Sequence, residues 1–273
     1  MKIINQELLS GERALFKSRD LEVINSVFCD GESPLKESRN IKIKDSIFKW
    51  KYPLWYCKDI NVDNSTFLET ARSGIWYTHN INIKNSTIES PKTFRRSKNI
   101  NLTNVNIPIA TETLWNCQDI TLNNVNAKGD YFGMNSENIV IKDFNLSGNY
   151  AFDGAKNVEV YNSRLLSKDA FWNCENVTVN NSVIIGEYLG WNSKNLTFID
   201  CFIESNQGLC YVENLVIRNS KVINTDLAFE YSTVDADITT RVDSVKNPMG
   251  GRIHARGIDD LIMDDKEISS LNT

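Results

Sequence analysis

The chain has 273 residues, with 30 Lys and Arg against 35 Asp and Glu, a net charge of −5 and a pI near 5.3. Without an overall basic excess, electrostatically driven binding to nucleic acid is not expected, and no apolar run has the length needed to span a bilayer. No apolar segment of signal-peptide length follows Met1, which sets the expectation of a cytoplasmic location.

Residues 1–17 precede the first regular phrase and are expected to form an N-terminal cap, because the end of a stacked repeat must be atypical. From about residue 18 to 222 one phrase then returns eleven times: Asn or Asp, aliphatic, any, aliphatic, any, Asn or Asp. It begins as Asp20-Leu21-Glu22-Val23-Ile24-Asn25 and ends as Asn214-Leu215-Val216-Ile217-Arg218-Asn219, mostly at a step of 19 residues. A period in this range signals a stacked architecture. The aliphatic pairs alternate with polar residues, as in Ile60-Asn61-Val62, which is the period of a strand. A second short strand follows, with Ser26, Ser46 and Ser65 and then Phe28, Phe48 and Phe67. Asn and Asp bracket the first strand, and these residues tolerate the left-handed backbone region. Two such rows predict two corners per coil. A third stretch, such as Thr113-Leu114-Trp115-Asn116-Cys117, closes each circuit, for three short strands and three turns per coil. Beyond residue 232 the aliphatic spacing persists at Val234 and Ile253 while Asn fades. Residues 233–273 are therefore expected to be degenerate coils and a cap, edged by Asp259, Asp260, Asp264 and Asp265, with a loose tail after Glu267.

The fold expected is all-β: a single-stranded right-handed parallel β-helix, a solenoid of about 11 regular coils of ~19 residues plus degenerate end coils. It is expected to be one domain, capped by residues 1–17, wound over 18–232 and closed by 233–273. A leucine-rich horseshoe would show a different phrase and a helical return, and neither is present.

This coil pattern resembles the pectin-lyase-like right-handed β-helix superfamily. Three segments narrow the resemblance: Gly11-Glu12-Arg13-Ala14-Leu15-Phe16, Gly31-Glu32-Ser33-Pro34-Leu35-Lys36-Glu37 and Val245-Lys246-Asn247-Pro248-Met249-Gly250-Gly251-Arg252-Ile253. With them the chain is similar, along essentially its whole length, to an uncharacterised bacterial family of β-helix proteins. The superfamily resemblance implies either a polysaccharide lyase or hydrolase, or a non-catalytic member. The narrower family implies no activity.

The third stretch is the least monotonous part of the coil, so function is sought there. One of its rows stays apolar (Leu54, Ile75, Phe94, Leu114) and should point inward. The next mixes Trp55, Trp76, Arg95, Trp115, Asp153, Trp172 and Trp191. Unpaired charge is too costly in a dry core, so this row should face solvent. Tyr131, Glu187 and Tyr188 lie in adjacent rows, and with the tryptophans they make up a candidate ligand-binding face. Such a face suits a saccharide or a protein partner; the competing reading is that the tryptophans simply stack between coils. For catalysis the candidates are Asp153 and Asp169 as an acid pair, with Arg95 as the cation. Only His79 and His254 exist, so a His triad or a His-rich metal site is not expected. No phosphate-binding loop is present, and no cofactor and no metal is expected. The six cysteines lack Cys-x-x-Cys spacing, and Cys57, Cys117 and Cys174 fall three coils apart, too far for disulfides. They are expected to be reduced and buried. The function these features favour is a cytoplasmic, non-catalytic binding or scaffold protein, its aromatic-lined face meeting a protein partner or a saccharide. The alternative is a carbohydrate-active enzyme working through Asp153 and Asp169. Neither nucleic acid nor membrane is expected as a partner.

Overall fold

The structure is a computed structural model and describes residues 1–265. It resolves two compact units, Met1–Val140 and Ile141–Thr273. Both wind as a right-handed parallel β-solenoid, about 14 turns of ~19 residues in all. That exceeds the eleven regular coils of the sequence because the ends wind as well. Strand Lys2–Asn5 pairs in parallel with Arg19–Ile24 in the register Lys2↔Leu21, and Leu8–Leu9 pairs with Val27–Phe28. Residues expected to cap the stack are thus a coil themselves, with Ile3 and Leu8 exposed. At the other end Thr233–Ile238 pairs with Gly250–His254, and Arg241–Lys246 with Gly257–Ile262. The tail expected after Glu267 lies outside the described residues.

The inward rows explain why these segments stay together. In unit 1, Ile41, Ile60, Ile81, Ile100 and Ile120 are all buried, each worth roughly 1.5–3 kcal/mol of burial. Phe28, Phe48 and Phe67 stack with centroids 4.4 Å apart. In unit 2 the same positions are Val158, Val177, Leu196 and Leu215, and Phe171 stacks on Phe152 at 5.5 Å. A buried serine row makes good the backbone groups that a corner pulls out of the ladder. The Ser26 N–H donates to Ser46 Oγ and the Ser46 N–H to Ser65 Oγ, while Ser46 Oγ–H donates to the Lys44 carbonyl. A buried unpaired N–H would cost about 1–3 kcal/mol.

The Asn rows form ladders as expected. Asn64 Nδ2 donates to Asp45 Oδ1 at 2.6 Å in unit 1, and Asn195 Nδ2 to Asn176 Oδ1 at 2.8 Å in unit 2. Their φ values fall in the left-handed region, +45° at Asn64 and +59° at Asn176.

The third stretch corrects the expectation of a third strand with a single further turn. Between its corners it holds only isolated bridges, Trp76↔Arg95 and Arg95↔Trp115. Two further left-handed positions break it in every coil of unit 1 from Tyr52 onward: Tyr52, Ser73, Lys92, Glu112 and Tyr131, then Tyr56, Tyr77, Arg96, Asn116 and Asn135. A non-glycine residue held there costs roughly 1–2 kcal/mol. Coil-to-coil backbone bonds offset this, such as the Tyr56 N–H to the Trp76 carbonyl and the Tyr77 N–H to the Arg95 carbonyl, both 2.9 Å.

All six cysteines are free thiols; five are buried, whereas Cys29, against expectation, is half-buried. Burial pushes the Cys57 and Cys117 thiols up to about 12, so they are inert hydrophobes at neutral pH.

Candidate binding face

In unit 1 three columns run side by side on the outer surface. The first is Trp55, Trp76, Arg95 and Trp115, all half-buried. Trp55 and Trp76 stack at 5.1 Å with an 8° tilt. The Arg95 guanidinium lies between two indoles, 5.0 Å from the Trp76 ring centre and 4.5 Å from that of Trp115, a favourable cation–π arrangement. Arg95 Nη2 meets Glu112 Oε2 at 2.5 Å, and Lys92 meets the other Glu112 oxygen at 3.3 Å. Arg95 Nε is buried with no acceptor among the described residues.

Each indole N–H is also committed. Trp76 Nε1 donates to the Lys92 carbonyl (2.9 Å), Trp115 Nε1 to that of Tyr131 (2.6 Å) and Trp55 Nε1 to that of Ser73 (2.6 Å). All three acceptors belong to left-handed residues of the next coil. The tryptophans therefore staple the extra corner in place. Trp76 thus has both faces covered, Trp55 and Trp115 one each, and all three N–H groups are occupied.

Sequence reasoning missed the next two columns. Tyr56 and Tyr77 stack at 4.7 Å, and Tyr56 is 48% exposed. Lys36 and Arg96 lie over these rings at 5.6 and 6.0 Å. Two residues further along each coil come Arg39, Lys58, His79 and Lys98, all exposed and in register. The signal was present as a charge count per coil, which the whole-chain total conceals.

Unit 2 repeats the aromatic column differently. Trp172 stacks directly on Trp191 at 5.9 Å, and Trp191 meets Tyr211 at 5.3 Å. The indoles donate to the carbonyls of Tyr188 (2.6 Å) and Gln207 (2.5 Å). Tyr150 and Tyr188 set their rings edge-on to Trp172 and Trp191, and Tyr131 does the same to Trp115 in unit 1. Lys168 pairs with Glu187 at 3.2 Å and lies 5.0 Å over the Tyr188 ring. The outer charged column here alternates: Lys156, Glu175, Lys194 and Glu213 are in register and pair at 3.1 and 2.8 Å.

The carboxylates expected to act as an acid pair take other roles. Asp153 Oδ1 accepts Asn173 Nδ2 at 2.8 Å, and Asn173 Oδ1 accepts Asn192 at 2.7 Å, so Asp153 ends a short Asn ladder. Asp169, expected to line an open groove, is only 2% exposed. It occupies a left-handed corner position, φ +57°, where its carboxylate takes a hydrogen bond from Tyr150. Burial raises its pKa, while the Lys168 charge and the Tyr150 hydroxyl act in the opposite direction. Arg95 in unit 1 spends its charge on Glu112.

Among the described residues, no group of three or more His, Cys, Asp or Glu is arranged to hold a metal. No helix is long and apolar enough to cross a membrane.

The family described as "Protein of unknown function (DUF3737)" matches residues 2–273. No curated protein matches. Among solved structures, PfbA, a surface adhesin of Streptococcus pneumoniae, aligns at 14% identity with a TM-score of 0.40, over 90% of this chain and 70% of that one. The A-module of the mannuronan C-5 epimerase AlgE4 of Azotobacter vinelandii aligns at 12% identity and 0.29, over 94% and 84%. The plasmid-mediated fluoroquinolone resistance protein QnrB1 aligns at 12% and 0.25, over 82% and 90%. At these values none carries an argument about activity or partner.

Proposed function

We propose, for a chain that belongs to the DUF3737 family, a non-catalytic binding protein whose outer aromatic face docks a protein partner. The observation that carries this is the state of the tryptophans: stacked on each other or on Arg95, with their N–H groups held by backbone. A sugar platform needs free ring faces flanked by free donors. Here the N–H groups are occupied, and the most exposed aromatic rings are the Tyr56 and Tyr211 phenols with flanking Lys and Arg. Tyr, Trp and Arg are the residues that dominate protein interfaces, and rigid rings lose little entropy on binding. The burial of Asp169 weighs against the carbohydrate-active alternative.

A cytoplasmic location belongs to this proposal, supported by six free thiols of which five are buried. Fractionation of the native host checks it.

The test of the binding reading places a photo-crosslinking amino acid at Tyr56, and at Thr121 as an exposed control, in cells of the native host. A discrete protein adduct at the first position and none at the second is the expected result. Micromolar binding on a glycan array that disappears in Trp76→Ala and Trp172→Ala, with no protein adduct, would replace the protein partner by a saccharide.

A further inference from the structure

Residues 36–98 hold thirteen Lys and Arg against six Asp and Glu, an excess of +7 inside a chain of net −5. The parallel register lines part of this excess into one file. Arg19 pairs with Arg39, Arg39 with Lys58, Lys58 with His79 and His79 with Lys98. At about 4.8 Å per rung these five exposed residues span roughly 19 Å. Lys98 meets Asp119 at 3.4 Å. Among the described residues, Arg19, Arg39 and Lys58 have no carboxylate within ion-pair distance.

Like charges directly opposite one another on neighbouring strands destabilise a sheet. The coil has a ready remedy, because the same position in unit 2 alternates Lys156, Glu175, Lys194 and Glu213. Unit 1 leaves Arg19, Arg39 and Lys58 uncompensated in a regular line, beside the Tyr56–Tyr77 stack and its Lys36 and Arg96. A row of exposed, unpaired cations is complementary to a run of anions.

We infer that this file binds an extended acidic segment of a polypeptide, which lies along the solenoid axis of unit 1 with its carboxylates on Arg19, Arg39 and Lys58. A single-stranded nucleic acid fits less well. Its affinity rests on bases stacking against free aromatic faces, and Tyr56 and Tyr77 face each other. Asp20 and Asp59 lie one residue beyond the file, each held by an Asn amide. A phosphate chain charged at every unit meets these two carboxylates, whereas a peptide can set its acidic side chains between them. This inference rests on the protein-partner reading and supplies the chemistry of the partner.

The test uses the full chain and fluorescence anisotropy with three probes: a labelled Glu-rich Gly-Ser peptide, its Gln counterpart and labelled oligo-dT. The Glu peptide is expected to bind and the Gln peptide not. Affinity should fall about tenfold or more between about 50 and 200 mM salt. Arg39→Gln with Lys58→Gln should weaken binding about fivefold or more, and Lys156→Gln with Lys194→Gln less than about twofold. These are exposed positions, and an unchanged circular dichroism melt confirms that each variant folds. No binding of the Glu peptide, equal losses in the two double variants, or tighter binding of oligo-dT each overturns the inference. If it fails while the Tyr56 adduct persists in the Arg39→Gln/Lys58→Gln chain, the partner is a protein of other chemistry and the function proposed above stands.

Discussion

Units 1 and 2 are built from the same coil and decorate it differently. Inside, they agree: aliphatic pairs, phenylalanine stacks, serine hydroxyl ladders and Asn corners recur in both. Outside, unit 1 inserts Arg95 between two indoles and leaves Arg19, Arg39 and Lys58 without an ion pair among the described residues, while unit 2 stacks indole on indole and neutralises each charge with the next. Inward and corner positions answer to the backbone, which is the same in every coil. Outer positions answer to solvent and to partners, so differences concentrate there. If that division is right, substitutions inside should cost alike in both units, and substitutions outside should not.

The largest effect is expected for the tryptophans, which belong partly to each class. Trp76→Ala and Trp191→Ala each remove a half-buried ring, its stack and the donor to a corner carbonyl, for a loss of about 2–4 kcal/mol in urea unfolding. Trp76→Ala should be the more damaging of the two, because it also removes one of the two rings that sandwich the Arg95 guanidinium. Equal losses would mean the sandwiched cation adds nothing. Arg95→Lys isolates that term. A lysine cannot lie flat between Trp76 and Trp115, and about 1 kcal/mol should be lost.

Much of the frame was legible before any coordinates. Ile41, Ile60 and Ile81 announce an inward row because burial demands apolar side chains at a fixed step, and Asn25, Asp45 and Asn64 announce a corner because few residues accept positive φ. The additional corners were illegible, since Tyr52, Lys92 and Arg96 carry no turn signature. What holds them are contacts between coils, the Trp76 indole on the Lys92 carbonyl and backbone bonds from Tyr52 to Arg72 and from Arg96 to Trp115, which exist only once the coils are stacked. The burial of Asp169 was illegible for a related reason: it depends on its neighbours in the stack, such as Tyr150 one coil before, while Lys92 at the equivalent position is exposed. The basic file was hidden by summation, because a chain of net −5 gives no hint that Arg39, Lys58 and Lys98 share one line.

Asp169 allows a pH test confined to unit 2. Burial holds its pKa above that of the unfolded chain, so the native state binds more protons than the unfolded one between the two values. Stability is then greatest below the unfolded pKa of about 3.9 and falls as pH rises through the native value. Asp169→Asn retains an acceptor for Tyr150 and cannot ionise. Wild-type stability should therefore fall relative to this variant from pH 4 toward neutrality, and the two curves should run parallel above that range. A gap that stays constant across the whole range would show that Asp169 ionises as freely as a surface carboxylate.

The smallest effect divides the units most sharply, because it predicts opposite signs. Lys58 stands between Arg39 and His79 with no carboxylate partner among the described residues, whereas Lys194 pairs with Glu213 at 2.8 Å. Removing a charge from a like-charged file relieves repulsion, and removing one from an alternating file breaks an attraction. Lys58→Gln should therefore raise the melting temperature slightly, and Lys194→Gln should lower it slightly, when ionic strength is low. Both shifts should shrink toward zero near 1 M salt, where the screening length falls to about 3 Å. Shifts of the same sign would mean that nearby Asp59 already neutralises Lys58. The uncompensated file, the single feature that marks unit 1 as the place where an acidic partner docks, would then carry no unsatisfied charge to offer.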